Sequence, residues 1–545
     1  MMSTLGDYVM AQVQLAGAKH IFNVPGEYTH ELNAVANGSK LEVVGCTSGM
    51  AAGHAADIYA RLNGIGVLMV TYGVGAYSAL NAVACAHAEK SPLVVISGAP
   101  GVRERKERPL MSHMVGTYDS QGAIYSNVTC DTCVLSDPGR AAEQLARVLQ
   151  SAKTRSQPVY IEVPRDMVNR QVSMDVDNAN ASLPGRSKPS QSLQEAVEAA
   201  SKYITKASSP VIIVGVEASR LGLEKRIVRM AEEANIPLAT TVLGKSAISE
   251  RHPLSLGVYA GAMSQFRVRE AVERADCLVF IGVLQTDINC GFYPEKLTHP
   301  NAVVAAVDGT RVRHGHFQNV DLKEFVDGLY ATGLGRRSKP QISPLPDAGP
   351  WEPVAGKQIT ANRFFARVAA MLDKDSAIMA DIGEALFGTM DIQVHDTHRY
   401  FCPAYYGTMG MAIPGTLGLM KACPGIRPIV ITGDGSFQMS SLALGSLVAH
   451  GLAPIVFVLN NGGYATERML TEGPWNNIPT WDYPKVVSLF GKGVGHRVAT
   501  EDQLDRVISD VEGSKHLSVV EVVFPPGDRT DGLCRFAAKG KAGNR

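Results

Sequence analysis

The sequence lacks the features that mark membrane, secreted and nucleic-acid-binding proteins. It contains no run of about 18 apolar residues, the minimum for a membrane-spanning helix, so no transmembrane segment is expected. The N-terminal stretch Met1 to Met10 carries Asp7 and no basic residue, so no signal peptide is expected. Lysine plus arginine and aspartate plus glutamate number 52 each, which leaves no excess charge to attract a nucleic acid or an anionic membrane.

Cysteine is also sparse. The 9 cysteines are scattered over 545 residues, as in proteins of the reducing cytoplasm, and a cytoplasmic location is expected. Cys130 and Cys133 have the spacing of a metal or redox pair, but no second ligand pair lies nearby at zinc-finger spacing. We therefore interpret both as structural thiols, because free cysteine is commonly buried.

What the sequence does contain is a repeated alternation of short apolar runs and helical patterns. The length predicts about three or four domains, and the alternation predicts α/β domains with doubly wound parallel sheets. Three such blocks are predicted over residues 1–170, 193–335 and 359–526, with linkers over 171–192 and 336–358 and a polar tail over 527–545. We expect the tail to be partly mobile or to pack late.

One motif carries most of the functional information. A Gly-Asp-Gly triplet centred on Asp434 follows an apolar run, and the pair Asn460 and Asn461 follows a second apolar run. A helix is predicted over 437–451 between them. Ligands of open α/β sheets bind at the carboxyl ends of the strands, and Mg²⁺ prefers carboxylate and amide oxygens that it shares with phosphates. The motif therefore predicts a diphosphate–Mg²⁺ site.

Two further glycine motifs give weaker signals. Gly73 and Gly75 approach the dinucleotide-binding fingerprint, but its third glycine is Ser78 and its acidic residue is missing. The pair therefore favours a tight strand-to-helix turn over NAD binding. The glycines beside Asn461 permit close backbone approach, so that a carbonyl such as that of Gly463 can serve as a metal ligand.

Three ionisable residues are candidates for acid–base chemistry, and each could instead have an ordinary structural or surface role. His113 lies in a predicted loop and is a candidate because histidine is the residue type suited to proton transfer at neutral pH, although an isolated histidine is more often structural. Glu27 follows a predicted strand, where its carboxylate suits either catalysis or the N-terminus of a helix. Glu467 lies one helical turn beyond Tyr464 and is either an acid near the bound ligand or a solvated helix residue.

Taken together, these motifs resemble the thiamine diphosphate-dependent 2-oxo acid decarboxylases, the family of pyruvate, indolepyruvate and phenylpyruvate decarboxylases. The resemblance covers nearly the whole chain. It rests on the segments 24–27 (Val-Pro-Gly-Glu), 55–61 (Ala-Ala-Asp-Ile-Tyr-Ala-Arg), 71–75, 88–100, 407–410 (Gly-Thr-Met-Gly), 460–467 and 481–483 (Trp-Asp-Tyr). The last two segments favour the decarboxylase branch over acetolactate synthase-like enzymes.

The resemblance implies a fold, two cofactors and a set of site residues. The blocks would be pyrimidine-binding, central and diphosphate-binding domains, with active sites between the subunits of a homodimer or of a homotetramer built as a dimer of dimers. The implied cofactors are thiamine diphosphate and Mg²⁺. The implied metal ligands are Asp434, Asn461 and the Gly463 carbonyl. The other implied cofactor positions are Gly49, Gly383, Gly407, Met409, Gly435, Ser436 and Thr466. The implied catalytic residues are Glu27, Ser112, His113 and Glu467.

Two positions depart from the family pattern. The family has a glutamate eight residues before the aspartate of segment 55–61, where it bonds the pyrimidine N1′ and activates the cofactor, and this chain has Gly49 there. The family also has two adjacent histidines, and this chain has Ser112 followed by His113. Slower activation is expected, because each pKa unit of a lost interaction at N1′ is worth about 1.4 kcal/mol.

The expected activity is that of a carbon–carbon lyase, which decarboxylates a 2-oxo acid with a large or aromatic side chain to an aldehyde and CO₂. Two alternatives stay open. One is a carboligase that joins an activated aldehyde unit to an acceptor, and the other is a cofactor-binding member of low turnover. The missing groups at Gly49 and Ser112 motivate both. A small-molecule substrate and a homo-oligomer are expected, with no nucleic-acid or membrane partner.

Overall fold

The computed structural model describes residues 2–173, 190–292, 302–340, 342 and 351–543. The chain forms two compact units. The first comprises Met1–Ser187, Ile413–Pro424 and Ser440–Leu452, and the second comprises Lys188–Ala412, Gly425–Met439 and Ala453–Arg545. Most of the predicted linker over 171–192 and part of that over 336–358 lie outside the described residues.

The first unit is built on a six-stranded sheet whose neighbouring strands are all parallel. In spatial order the strands are Glu42–Gly45, His20–Val24, Gly66–Val70, Leu93–Ala99, Val159–Pro164 and Asp131–Val134. The helices of the unit include Leu5–Leu15, His30–Gly38, Gly49–Asn63, Val74–Ala88, Val102–Glu107, Ser120–Tyr125, Ala141–Arg155 and Leu444–Ala449. A short antiparallel pair joins Met2–Thr4 to Gln171–Ser173. The inner strands are buried along their whole length, as the apolar runs predict for a parallel sheet covered on both faces.

The helix Gly49–Asn63 illustrates how local chemistry sets these boundaries. Ser48 caps its N-terminus, and the Ser48 hydroxyl accepts a hydrogen bond of 3.2 Å from the N–H of Ala51. Gly64 ends the helix with a φ of 80°, a conformation that glycine adopts without steric cost. The first residue after the cap is Gly49, so the helix begins at the position where the family pattern has its glutamate.

The second unit contains two sheets. A seven-stranded sheet has the spatial order Ser255–Val258, Leu238–Thr240, Pro210–Val214, Cys277–Ile281, Ala302–Ala306, Gly309–Val312 and Gly315–Phe317. Its first five strands are parallel, and the last two add an antiparallel hairpin. A six-stranded, wholly parallel sheet has the order Tyr400–Phe401, Ser376–Ala380, Arg427–Gly433, Ile455–Asn460, Ser518–Val523 and Val494–Val498.

Helices accompany both of these sheets. They include Gln191–Lys206, Val216–Arg220, Glu224–Ala234, Phe266–Glu273, Leu322–Thr332, Ala361–Met371, Glu384–Thr389, Asp434–Ser440, Ala465–Leu470, Glu501–Gly513 and Asp531–Gly543, while Ala412–Ala422 lies largely in segments of the first unit. The predicted fold class of three doubly wound α/β domains is confirmed, with the hairpin of the seven-stranded sheet as an addition. The exact domain boundaries stay predictions.

One sequence-based expectation is wrong, and one helix was not foreseen. The polar tail forms the helix Asp531–Gly543, whose Leu533 is fully buried and whose Phe536 ring lies 4.7 Å from that of Phe387. Its apolar positions were diluted by glycine and lysine, which hid the helical pattern. The continuous helix predicted over 437–451 is interrupted by a 3₁₀ turn at Ser441–Ala443.

The structure also bears on membranes and cysteines. Among the described residues, no helix combines the length and apolarity needed to cross a bilayer. All of the cysteines carry free thiols. Burial raises the pKa of Cys130 to about 11 and that of Cys133 to about 12, so both thiols are protonated at neutral pH.

Candidate active site

The predicted metal-binding motif lies at the carboxyl ends of two neighbouring strands. Arg427–Gly433 and Ile455–Asn460 pair in parallel register, and Asp434 follows the first of them. Asp434 is 2% exposed. Its Oδ2 accepts hydrogen bonds from the N–H groups of Gly462 (2.9 Å) and Gly463 (3.0 Å), and its Oδ1 accepts one from the N–H of Gly435 (2.8 Å). The aspartate thus organises the asparagine loop, which we define as residues 460–463.

The electrostatics of this loop suit a bound cation. Burial raises the pKa of Asp434 to about 6, and the surrounding backbone N–H groups oppose that rise. The Oδ1 atom of Asn461 is buried and has no hydrogen-bond partner among the described residues. A buried amide oxygen without a partner is costly, and a cation would satisfy it together with the carboxylate of Asp434. The residues present therefore fit a divalent metal ion.

Glycine is required at two positions of the motif. A Cβ atom on Gly435 would lie 2.5 Å from the Tyr464 ring, and one on Gly463 would overlap the carbonyl oxygen of Asn476. Gly463 also has a φ of 132°, which side chains rarely allow. The chain is therefore packed tightly around the asparagine loop.

Two residues that the sequence analysis missed anchor this loop. Arg468 donates from Nη2 to the Gly462 carbonyl at 2.9 Å and to Asn477 Oδ1 at 2.6 Å. Glu521, which is 1% exposed, accepts a hydrogen bond of 2.7 Å from Asn460 Nδ2. A single glutamate inside the apolar strand Ser518–Val523 is a sequence signal for a buried polar partner, although it does not identify that partner.

The remaining predicted residues of the second unit lie on nearby strand ends and turns. A Cβ atom on Gly383 would lie 3.4 Å from Thr466 Oγ1, so these two predicted cofactor positions are brought together. Ser436 is buried, whereas Glu467 is exposed on the short helix Ala465–Leu470.

The segment 407–410, which includes the predicted residues Gly407 and Met409, is followed by a buried anchor. Gly407 and Gly410 have φ values of 71° and 81°. Asp381, which is fully buried, accepts from the N–H of Ala412 at 3.0 Å and from the Thr432 hydroxyl at 2.7 Å. Burial raises the pKa of Asp381, and these hydrogen bonds oppose the rise. Asp381 was not predicted from the sequence; it directly follows the strand Ser376–Ala380 and stands two residues before Gly383.

In the first unit, the predicted acid–base residues meet at the carboxyl edge of the sheet. Glu27 is exposed and begins a 3₁₀ turn shortly after the strand His20–Val24. The next residue, Tyr28, donates from its hydroxyl to the Ser112 carbonyl at 2.9 Å, and its ring lies 5.8 Å from that of His113. Tyr28 therefore joins Glu27 to the His113 loop, which we define as residues 108–116.

The backbone of the His113 loop is fixed by close contacts. His113 itself has a φ of 68°, and its Nδ1 lies 3.2 Å from the Tyr72 carbonyl oxygen. A Cβ atom on Gly73 would overlap the His113 carbonyl oxygen, and Gly73 has a φ of 62°. The Gly73 and Gly75 motif thus serves a tight turn against the His113 loop, in keeping with the interpretation preferred over NAD binding. Ser112 contributes its carbonyl, while the residue is exposed.

Gly49 faces a closed surface. A Cβ atom built on Gly49 would lie 2.8 Å from the Gly75 carbonyl oxygen, 3.0 Å from Ser78 Cβ and 3.1 Å from the Ala79 nitrogen. The helix Val74–Ala88 therefore occupies the space that a side chain at position 49 would need. Glycine provides no side-chain group for proton transfer at position 49, and the neighbouring Ser48 hydroxyl caps the helix.

A separate buried cluster in the first unit superficially resembles a metal site. One ligand atom each from His54, Asp57 and Cys85 lies within 4.8 Å of the others. Arg61, however, donates to both Asp57 oxygens, from Nε at 2.9 Å and from Nη2 at 2.7 Å. A guanidinium in that position repels a cation, so we interpret the cluster as a structural ion pair with a buried histidine beside it.

Comparisons with known proteins cover most of the chain. Three family models match it: thiamine pyrophosphate enzyme, N-terminal TPP binding domain, over residues 3–124; the central domain over 197–327; and the C-terminal TPP binding domain over 381–522. Pyruvate decarboxylase 1 of Zea mays is 30% identical over 99% of this chain and 91% of its own length. Indole-3-pyruvate decarboxylase of Azospirillum brasilense is 30% identical over 98% of this chain and 97% of its own length.

Proposed function

Since the chain belongs to the thiamine pyrophosphate enzyme family, we propose that it catalyses the non-oxidative decarboxylation of a 2-oxo acid to an aldehyde and CO₂, with thiamine diphosphate and Mg²⁺. The enzyme is a carbon–carbon lyase of the decarboxylase branch. The single observation that carries the metal-dependent part of this proposal is the partnerless, buried Asn461 Oδ1 beside Asp434.

The second unit would hold the cofactors. Asp434, Asn461 and the Gly463 carbonyl would bind Mg²⁺, because hard oxygen donors match that ion. Gly435, Ser436 and Thr466 would contact the diphosphate, and Gly383, Gly407 and Met409 would contact the remainder of the cofactor. When bound, thiamine diphosphate supplies an electron sink for the carbon–carbon bond that breaks.

The first unit would handle protons. The Nδ1 of His113 faces the Tyr72 carbonyl oxygen, which can only accept, so Nδ1 carries a proton and Nε2 is the atom that exchanges one with substrate or product. Glu27 is exposed and held near the same loop through Tyr28, so its carboxylate is available as a second proton carrier. Glu467, which is exposed in the second unit, is proposed as a third, and the exposed Ser112 as a lesser contributor.

We propose a substrate with a large or aromatic side chain. Tyr28, Tyr72 and Ala99 form a small apolar cluster, against which Met111 and Met114 pack. Methionine side chains adapt their shape to apolar groups and make favourable contacts with aromatic rings. This wall adjoins His113, so an apolar side chain of the substrate would find a compatible surface there.

The test is direct. The purified protein, loaded with thiamine diphosphate and Mg²⁺, is assayed for CO₂ and aldehyde with pyruvate, phenylpyruvate and indolepyruvate, and with EDTA as a metal-free control. Metal-dependent CO₂ release, faster with the aromatic substrates, is expected. Equal rates with all three would refute the substrate preference, and no CO₂ release from any would refute decarboxylation.

A carboligase is the second candidate, and the closed surface at Gly49 favours it. Without a carboxylate at position 49, one proton-transfer group of the usual decarboxylase set is missing. A reaction that passes an activated aldehyde unit to a second carbonyl compound makes less use of proton delivery than release of a free aldehyde. Product analysis with paired substrates separates the candidates, because an acyloin formed faster than free aldehyde supports the carboligase.

We also propose a homodimer or a dimer of dimers, as the family resemblance implies. Sedimentation analysis of the holoenzyme distinguishes dimer from tetramer, and a monomer that retains full activity would contradict the proposal.

A further inference from the structure

We propose that Arg165 is a positioning residue that fixes Glu27 and, through Tyr28, the His113 loop. The inference rests on the proposed function, because it assigns Glu27 and His113 to proton transfer. It concerns a residue that no sequence motif singled out. Arg165 follows the strand Val159–Pro164 and so emerges at the same carboxyl edge of the sheet as Glu27.

The guanidinium of Arg165 lies between two carboxylates. Its Nη1 is 3.7 Å from Glu27 Oε1, and its Nη2 donates to Glu104 Oε1. The backbone N–H of Arg165 also donates to the Ala99 carbonyl at 2.9 Å, which fixes where the side chain starts. Glu104 therefore holds the guanidinium in place from one side while Glu27 lies on the other.

The same guanidinium contacts the residue that carries the His113 loop. The central carbon of the Arg165 guanidinium lies 5.3 Å from the centroid of the Tyr28 ring, a cation–π geometry. The Tyr28 hydroxyl donates to the Ser112 carbonyl at 2.9 Å, and the Tyr28 ring meets His113 edge-on at 5.8 Å. One side chain thus touches the carboxylate directly and the histidine loop through a single intermediary.

The support behind Glu104 is built from backbone groups. The other carboxylate oxygen of Glu104 accepts from the N–H of Gly101 at 2.7 Å, at the start of the helix Val102–Glu107. Asp166, the residue after Arg165, accepts from the N–H of Val102 at 2.9 Å. Neighbouring residues at the end of one strand therefore bind the same short helix, which places Glu104 against the Arg165 guanidinium.

These contacts use properties that arginine has and lysine lacks. The planar guanidinium presents several N–H groups in a fixed fork and stacks on an aromatic face, whereas an ammonium is a compact point charge. Arg165 pairs with both carboxylates and covers the Tyr28 ring at once. A lysine at position 165 would keep the charge and lose the simultaneous contacts. We therefore expect Arg165→Lys to differ from the wild-type enzyme in its kinetics.

The experiment compares Arg165→Ala, Arg165→Lys and the control Arg103→Ala in the holoenzyme. Arg103 lies in the helix Val102–Glu107, which also carries Glu104. Its side chain is 85% exposed and pairs with Glu107 of the same helix. For Arg165→Ala we expect kcat to fall about tenfold with KM changed less than about twofold, because the lost interaction acts on proton transfer rather than on substrate binding. Arg165→Lys should recover only part of kcat, and added methylguanidinium should raise kcat of Arg165→Ala.

A second readout does not depend on turnover. Hydrogen exchange of a peptide covering residues 109–116 should speed up in Arg165→Ala and stay unchanged in Arg103→Ala, because only Arg165 is linked to the His113 loop through Tyr28. The inference is overturned if Arg165→Ala matches Arg103→Ala in kcat and in exchange, or if methylguanidinium leaves its kcat unchanged. If the wild-type enzyme is inactive but hydrogen exchange at residues 109–116 still speeds up in Arg165→Ala and not in Arg103→Ala, the result counts against the proposed function and not against the role of Arg165 in holding the loop.

Discussion

The asparagine loop of the second unit is built from different chemical groups than the carboxyl edge of the first unit's sheet. We call that edge, with Glu27, Tyr28, Arg165 and the His113 loop, the His113 edge. The asparagine loop is made of backbone groups: the N–H groups of Gly462 and Gly463 point to Asp434, and glycines allow the close packing. The His113 edge is made of side chains, whose charges are paired across strand ends of one sheet, as with Arg165 and Glu27.

The difference teaches which part of the chemistry departs from the family. The residues that would hold a diphosphate and a metal ion match the family pattern without a gap. The first unit, which we propose handles protons, lacks a carboxylate at Gly49, and a Cβ atom there would already lie 2.8 Å from the Gly75 carbonyl oxygen. Gly435 and Gly463 are each required by a close contact, so the asparagine loop region tolerates little change at those positions, whereas a site built of side chains can be altered one residue at a time.

The largest effect is expected at the asparagine loop. Asp434→Ala removes the proposed metal ligand, which is also the acceptor of three backbone hydrogen bonds. We expect the Kd of the protein for thiamine diphosphate and Mg²⁺ to rise by more than about 100-fold. Even mutation of residues that only hydrogen-bond to metal ligands costs about 10–100-fold in metal affinity. Titration monitored by tryptophan fluorescence measures it. Asp510→Ala, an exposed aspartate of the helix Glu501–Gly513, should bind normally; equal binding by both variants would contradict the metal assignment.

A slightly smaller effect is expected at the His113 edge. Gly73→Ala forces a Cβ atom into the His113 carbonyl oxygen and displaces the loop. We expect kcat to fall about 50-fold, because shifts of about 1 Å at reacting groups cost on the order of 100-fold. Gly64→Ala is the matched control: Gly64 has a φ of 80° and nothing within 4 Å of its Cβ position, so it carries the backbone strain without the clash. Loss of kcat in both variants would point to strain instead of loop placement.

The sequence could predict the asparagine loop better than the His113 edge, for a physical reason. Inner strands of a parallel sheet are buried on both faces, so Arg427–Gly433 and Ile455–Asn460 stand out as apolar runs, and the motif residues follow directly at their ends. Their neighbourhood follows from the topology. Arg468 and Glu521 escaped because their partners are chosen by tertiary packing, and neither has a spacing that the sequence exposes.

The crowding at Gly49 also could not be predicted from the sequence. The absence of a glutamate could be read from the spacing to Asp57, but whether a side chain would fit depends on the helix Val74–Ala88 that packs against it. The same holds for Arg165. The strand before it is a neighbour of the strand that precedes Glu104, and two strands separate it from the strand that precedes Glu27, so these residues meet only in the folded sheet. Long-range pairs of this kind leave no local pattern.

A third prediction sharpens the contrast by pH. Burial lowers the pKa of His54 to about 4, with the Asp57 charge opposing the shift and the Arg61 charge adding to it. An unfolded histidine titrates near 6.5, so the unfolded state gains a proton first as the pH falls. The free energy of unfolding should therefore be highest above pH 6.5 and decline by about 2 kcal/mol at pH 5 through this residue.

Denaturant unfolding at pH 7 and pH 5 measures this dependence. His54→Leu removes the titrating group, so the part of the decline that belongs to His54 should vanish, whatever the variant's stability at pH 7. His30→Gln, at an exposed position of the helix His30–Gly38, should keep the wild-type dependence. An unchanged pH dependence in His54→Leu would mean that the buried ring is not kept neutral by its surroundings.

The smallest effect is expected at Gly49, and it decides how the two regions differ. Gly49→Ala places a methyl group 2.8 Å from the Gly75 carbonyl oxygen, and we expect it to destabilise the protein by about 1 kcal/mol. Thermal unfolding measures this, with Gly122→Ala as the control: Gly122 lies in the helix Ser120–Tyr125 with nothing within 4 Å, so alanine should be neutral or stabilising there.

Gly49→Glu then separates a missing group from a closed space. If the helix Val74–Ala88 fills the position as the structure has it, the longer side chain is forced away, and turnover of 2-oxo acids stays at the wild-type level or below while stability falls further. If turnover instead rises about tenfold or more without loss of stability, the His113 edge has room for the family's carboxylate. The protein would then be a low-turnover member limited by one substitution, and the two regions would differ by a single side chain and not by how they are packed.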